Sequence, residues 1–270
     1  MSNNLAQRLL VAAVGIPLLI LISVYNGLYL LVFSIVLAGL AGFELALMLK
    51  KRGYYLNRFL SVILPVICVL SAFYNYPVIH VMLLSFFLVS SLVVKRYFGS
   101  GSADLSGFLG DLMAGLIPVI YIGLLSIYII YLGKTTDYGG LLLVFTFLVV
   151  WAADTGAYFG GKAFGKKKLA ERISPNKTVA GFYGGILGAL LAGVVSKLIF
   201  LNLGWLDIIL MAVAACIMGQ VGDLVESGIK RHCRVKDSSS ALPGHGGILD
   251  RFDSFFFAVP VVYFIAVVWK

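Results

Sequence analysis

Apolar residues run through this chain in blocks longer than a soluble core uses. A helix that crosses a bilayer needs about 20 mostly apolar residues. Segments of that kind follow one another at 9–26, 28–49, 57–75, 78–94, 108–132, 138–160, 179–201, 205–228 and 251–269, the fourth of them short. Polar residues fall in the joints, three of which are longer than a hairpin: 95–107, 161–178 and 229–250. The pattern predicts an all-α polytopic integral membrane protein of about nine transmembrane helices. Met1 to Arg8 followed by an apolar run has the outline of a secretory signal. The run continues to about Tyr25 without a small-residue cleavage site, so a retained first helix is expected.

Composition agrees. Of 270 residues, 61% are hydrophobic and 12% charged, against about 25% charged in soluble domains. That excludes the two-domain soluble protein that length alone would allow. Cys68, Cys216 and Cys233 form no even disulfide framework, and two of them lie in apolar segments as small hydrophobes. Cys233 lies near His232 and His245, but the four-ligand spacing of a structural zinc site is missing.

Charge orients the segments. With the N-terminus in the cytoplasm, the inside joints carry Arg8; Lys50, Lys51, Arg52 and Arg58; Lys95 and Arg96; Lys162, Lys166, Lys167, Lys168, Arg172 and Lys177; and Lys230, Arg231, Arg234, Lys236 and Arg251. Of the 21 bases, only Lys134, Lys197 and Lys270 fall at or near the outer side. This is the positive-inside bias, and it places the C-terminus outside. The net charge of +9 is thereby largely a matter of topology and of attraction to anionic headgroups. The chain divides into segments 1–107 as scaffold and lipid access, 108–178 as two helices with a basic loop, and 179–270 as three helices with a polar run, all within one membrane domain. No internal repeat of the kind many transporters carry is evident.

Among the twelve acids, Glu44, Asp154, Asp223 and Glu226 fall inside predicted spans. Each costs roughly 2.5–3.5 kcal/mol at mid-membrane on insertion scales, which marks such acids as functional by default. At 1.5 Å per helical residue, Asp223 lies about 10 Å from Lys230, Asp154 about 12 Å from Lys162 and Glu44 about 9 Å from Lys50. All are thus in the cytoplasmic half, where spans six, eight and nine can converge on one water-filled pocket. Asp223 with Glu226, and Asp250 with Asp253, stand at i, i+3 on one helix face. No lysine is expected to pair the acids internally, so a divalent cation would relieve their repulsion; hard oxygen ligands suit Mg²⁺. The plain alternative, acids at a helix start favouring the positive dipole end, explains one acid well and three poorly. Glu44 stands apart, with a structural partner as reasonable as a functional one.

The loop after Asp154 interleaves Gly160, Gly161 and Gly165 with Lys162, Lys166, Lys167 and Lys168. Glycine lets backbone N–H groups approach phosphate oxygens and lysine adds charge, although no P-loop is present. Ser174-Pro175 reads as a helix start, serine as cap and proline at the first position. Gly181 with Gly185, and Gly184 with Gly188, are small-xxx-small pairs suited to close helix packing. Pro243-Gly244-His245-Gly246-Gly247 reads as a tight turn into the last helix, whose free N–H groups can face a phosphate. His245 is read as a phosphate contact.

The run Ser227 to Asp253 resembles the signature of the phosphatidate cytidylyltransferases, also called CDP-diacylglycerol synthases. It contains S-x-hydrophobic-K-R, then K-D four residues on, then H-G-G and D-R-hydrophobic-D. The 154–185 segment, with Ile173-Ser174-Pro175-Asn176-Lys177-Thr178, is similar to the family as well. One position departs: where the family commonly has an acid before the glycine that follows Lys-Thr, this chain has Ala180.

The resemblance implies the reaction CTP + phosphatidic acid → CDP-diacylglycerol + pyrophosphate in the cell's inner membrane, with the site facing the cytoplasm. It implies Mg²⁺, with room for a monovalent cation such as K⁺, and a homodimer among membrane lipids. It puts the metal-binding carboxylates at Asp223, Asp250 and Asp253, joined as catalytic residues by Lys230 and Arg231. Substrate contacts are expected from Asp154, Lys166, Lys168, Ser174, Lys177, Thr178, Lys236, Asp237, His245, Gly246, Gly247 and Arg251. A CTP-dependent polyprenol or phytol kinase has similar needs and stays open as an alternative. A CDP-alcohol phosphatidyltransferase is disfavoured, because its D-G-x-x-A-R motif is absent. A transporter of anionic substrates would spread polar residues through the membrane depth, whereas here they crowd at one face.

Overall fold

The structure is a computed structural model that describes residues 2–100, 104–135, 138–239 and 246–269. Its helices are α1 (Ser2–Tyr25), α2 (Gly27–Lys51), α3 (Arg58–Phe73), α4 (Val78–Ser100), α5 (Leu105–Ile117), α6 (Leu124–Gly133), α7 (Gly139–Phe164), α8 (Val179–Ile199), α9 (Trp205–His232) and α10 (Leu249–Tyr263). A π-helical stretch, Pro118–Gly123, joins α5 to α6, and another, Phe264–Val268, extends α10. Each apolar segment of the sequence is therefore a helical rod. The rod Leu105–Gly133 is one span interrupted by the π-turn at Pro118, whose ring offers no N–H to an α-helical ladder. Among the described residues, six rods are long and apolar enough to cross a membrane, and Ala12–Tyr25 and Arg58–Phe73 are shorter apolar helices. Some joints are helical where loops are expected: α4 runs on to Ser100 and α9 to His232.

Local chemistry sets several starts. Asn57 caps α3 by accepting from the Phe59 and Leu60 amides, at 2.9 and 3.2 Å. Asp104 caps α5 by accepting from the Gly107 amide at 3.0 Å, and that bond holds its carboxyl below the usual carboxylate range.

One expectation is overturned. Ser174-Pro175 does not begin a helix: it opens β2 (Ser174–Thr178), which pairs antiparallel with β1 (Lys168–Ala170). The helix starts four residues later, where Thr178 Oγ1 accepts from the Gly181 amide at 3.1 Å. Serine and proline fit the end of a short ribbon equally well, because an edge strand tolerates a missing N–H. The all-α expectation thus holds except for this two-stranded ribbon.

The 168–178 ribbon leads into the tightest packing in the molecule. Along α7 and α8, a Cβ at Gly156 would collide with the Gly184 carbonyl, and one at Gly188 with the Ala152 carbonyl. A Cβ at Gly160 would crowd the Ala180 carbonyl and Gly184, and one at Gly161 would meet the Thr178 hydroxyl and Gly181 at looser range. The small residues let the two backbones touch, which is what drives association where both helices and lipid are equally apolar. The apolar centre is closed by α10, where Phe255 stacks on Phe147 of α7 with ring centroids 4.0 Å apart. Leu45, Phe145 and Phe256 are completely buried around it.

Candidate functional site

α9 carries Asp223, Glu226 and Lys230 towards its C-terminal end, and α10 begins beside that end with Asp250 and Asp253. Close packing fixes the two helices here, since a Cβ at Gly222 would lie 2.6 Å from the Asp253 carbonyl. Ribbon strand β2 adds Lys177, and α7 adds Asp154.

The acids are not left to repel one another, as the sequence suggests; two lysines divide them. Lys177 Nζ meets Asp223 Oδ2 at 2.7 Å. Lys230 Nζ meets Asp250 Oδ1 at 2.6 Å and also forms an i, i+4 ion pair with Glu226. Asp250 is further committed on its other oxygen, where Oδ2 accepts from the Ser238 amide at 2.9 Å, the Ser238 hydroxyl at 2.9 Å and the Gly247 amide at 2.8 Å. Asp253 is buried and accepts from the Ser254 amide at 2.6 Å.

Two lobes result. In the first, Asp154, Asn176, Lys177, Thr178, Gln220 and Asp223 line a cavity of about 290 Å³. In the second, Lys230, Ser238 and Gly247 hold Asp250. Asp253 links them, close enough to feel the charges of Asp223, Asp154 and Lys230.

The remaining expected residues lie on or beside the ribbon, on the last turn of α9 and after it, and at the start of α10. Lys166 and Lys168 are exposed at the ribbon's start, and Ser174 lies in β2. Arg231 is exposed and donates from Nε to the Ile173 carbonyl at 3.2 Å, tying α9 to the ribbon. Lys236 and Asp237 are exposed beyond α9. Arg251 is exposed within electrostatic reach of Asp154, at the edge of an apolar cavity of about 490 Å³ between α1, α2, α7 and α10. Gly246 adopts φ +84°, the left-handed conformation that glycine takes without strain. His245 lies outside the described residues.

A divalent cation suits this donor set in chemistry. The groups are hard carboxylate oxygens, those of Glu226 buried with Lys230 as ion-pair partner. It is not preassembled: among the described residues, no three acids, histidines or cysteines are grouped to hold a metal. Asp223 and Asp250 face lysines instead.

Two features escape the sequence. The Tyr121 hydroxyl, from the π-helical turn, is buried without a hydrogen-bond partner among the described residues, within reach of the charges of Asp253, Glu226, Asp223 and Asp250. Its only sequence signal is the proline three residues earlier. Glu44 of α2 is anchored to Ser238, Ser239, Ile248 and Leu249, a pairing that no local pattern predicts.

Paired acids and lysines lie together at one end of a bundle of apolar helices. The chain belongs to the Cytidylyltransferase family, which matches residues 6–269. It is 35% identical over 274 residues to a phosphatidate cytidylyltransferase of Bacillus subtilis (strain 168), covering 97% of each chain. It is 38% identical over 258 residues to one from Staphylococcus epidermidis (strain RP62A), covering 94% of this chain and 96% of the relative. One from Staphylococcus aureus (strain COL) is 37% identical over 257 residues with the same coverage.

Proposed function

We propose that the protein joins CTP and phosphatidic acid to give CDP-diacylglycerol and pyrophosphate. The observation that carries this reading is the pair of lysines, Lys177 and Lys230, held on Asp223 and Asp250 near the C-terminal end of α9. A lipid phosphate oxygen attacks the α-phosphorus of CTP, the bond from that phosphorus to the bridging oxygen of the β-phosphate breaks, and pyrophosphate leaves with the electron pair. The nucleophile is already anionic at neutral pH, so no general base is needed, and catalysis rests on positioning and charge neutralisation.

Lys177 and the mouth of the first cavity receive phosphate groups. Lys230 and Arg231 stand opposite, on the last turn of α9. Incoming phosphates compete with Asp223 and Asp250 for the lysines, and the carboxylates released are oxygen donors. Asp223, Asp250 and Asp253 would hold Mg²⁺, which supplies charge neutralisation at the nucleotide oxygens. Lys166, Lys168, Ser174, Thr178, Lys236, Asp237 and Arg251 lie around this centre as secondary contacts to the two substrates. Ala180 takes no part as an acid.

The rods make nine crossings of the cell's inner membrane, with the N-terminus and the site on the cytoplasmic side, and two copies pair in the bilayer. The bias of all but three of the 21 bases towards one side supports the orientation. The native cysteines are buried, so a thiol reagent applied to Lys167→Cys reads it directly: labelling from outside the cell reverses the topology.

The activity test uses CTP labelled at its α-phosphorus, with phosphatidic acid in detergent micelles. Lipid-linked label that requires both phosphatidic acid and Mg²⁺ is the expected product. Its absence from folded protein rejects the reading.

A further inference from the structure

We propose that Glu44 is a positioning residue for the reaction: it pins Ser238, Ser239 and the start of α10 so that Asp250 holds Lys230 in place. The inference deepens the cytidylyltransferase reading and rests on it for its kinetic test.

Glu44 sits in α2 with 3% of its surface exposed, and no basic side chain pairs with it among the described residues. A buried carboxylate without a cation needs hydrogen-bond donors. Glu44 has four, all from one distant segment. Oε1 accepts from the Ser239 hydroxyl at 2.6 Å and the Ile248 amide at 3.0 Å. Oε2 accepts from the Ser238 hydroxyl at 2.9 Å and the Leu249 amide at 2.8 Å.

The two amides belong to the opening of α10, where helical N–H groups lack partners of their own. Glu44 therefore acts as a helix cap supplied from another helix, with its charge at the favourable end of the dipole. The two serines lie on the other side of 240–245. One carboxylate thus fixes both flanks of that stretch.

Ser238 carries the effect to the reaction centre. Its hydroxyl is 2.9 Å from Glu44 Oε2 and 2.9 Å from Asp250 Oδ2, so one proton is shared between two carboxylates. Its amide also donates to Asp250. Asp250 in turn holds Lys230. Gly247 completes the arrangement, because a Cβ there would collide with the Ser238 hydroxyl and with the Glu44 carboxylate. A chain of direct contacts therefore runs Glu44, Ser238, Asp250, Lys230, and Glu44 itself touches neither substrate.

Glu44→Gln keeps the shape but turns an NH₂ group towards one of the two amides. The expected result is a fall in kcat of roughly 10- to 100-fold, as for lost supporting partners of site ligands. KM for CTP and the melting temperature in detergent stay near wild type, and Glu44→Asp recovers part of the loss. Hydrogen exchange supplies a second readout that does not depend on turnover: the Ile248 and Leu249 amides lose protection in Glu44→Gln while the centre of α10 keeps its own. Wild-type kcat, or unchanged protection, overturns the proposal; so does a loss of activity that only tracks a loss of melting temperature. Should Glu44→Gln fail to fold, Ser238→Ala interrupts the same chain at one hydroxyl, and wild-type kcat there counts equally against it. If wild-type protein itself makes no CDP-diacylglycerol, the functional reading fails, while the exchange data still decide whether Glu44 holds the segment.

Discussion

Lys177 of β2 reaches across to α9 and meets Asp223 at 2.7 Å, so the basic loop and the acidic helix are two sides of one site. The contact exists because the loop is a ribbon rather than the start of a helix. The antiparallel pairing of β1 with β2 ends at Thr178, and Lys177 just before it is half-buried against α9.

Lys177→Ala removes a phosphate partner and leaves Asp223 uncompensated. A hydrogen bond to a charged group is worth about 1.5–3 kcal/mol. KM for CTP should therefore rise by roughly one to two powers of ten, and Lys177→Arg should recover part of it. Steady-state titration with CTP measures this, and an unchanged KM in the alanine variant removes Lys177 from the site.

Asp250 and Asp253 should separate when each is changed to asparagine. Both variants lose nearly all turnover. Asp253→Asn keeps its melting temperature, because among the described residues its carboxylate is paired with no base. Asp250→Asn also loses stability: it breaks a largely buried pair with Lys230, whose loss costs roughly 3–5 kcal/mol. Thermal unfolding in detergent beside the activity assay tests the contrast. Equal melting temperatures would show that the Asp250 contacts do not hold the segment together.

Gly188→Leu should destabilise the bundle without touching the site. The side chain would have to enter the space filled by the Ala152 carbonyl of α7. Overpacking typically costs 1–3 kcal/mol, and here the obstacle is backbone, so a cost at or above roughly 3 kcal/mol is expected. A melting temperature equal to wild type contradicts the close approach of α7 and α8.

What the sequence made legible follows from range. Apolar runs declare helices because burial in lipid leaves few other choices for the backbone, and the glycine spacing at 181–188 pointed to close helix packing without naming α7 as the partner. Asp223 and Glu226 fall on α9 and Asp250 and Asp253 on α10. The ribbon was hidden because Ser174-Pro175 carries the same local chemistry as a helix cap. Lysine pairing of the acids was hidden in part, since Lys230 is one turn from Glu226 and was visible in principle, whereas Lys177 reaches Asp223 only through the ribbon. Glu44 was recognised as costly in a membrane, but its partners lie at 238–249, and a single sequence records no such long-range contact.

The most direct test of the central claim follows the phosphorus. Purified protein is given phosphatidic acid and CTP labelled at either the α- or the γ-phosphorus. Cytidylyl transfer predicts that α-label enters the lipid fraction while γ-label appears only in pyrophosphate. Entry of γ-label into lipid would instead make the protein a CTP-dependent lipid kinase and contradict the account.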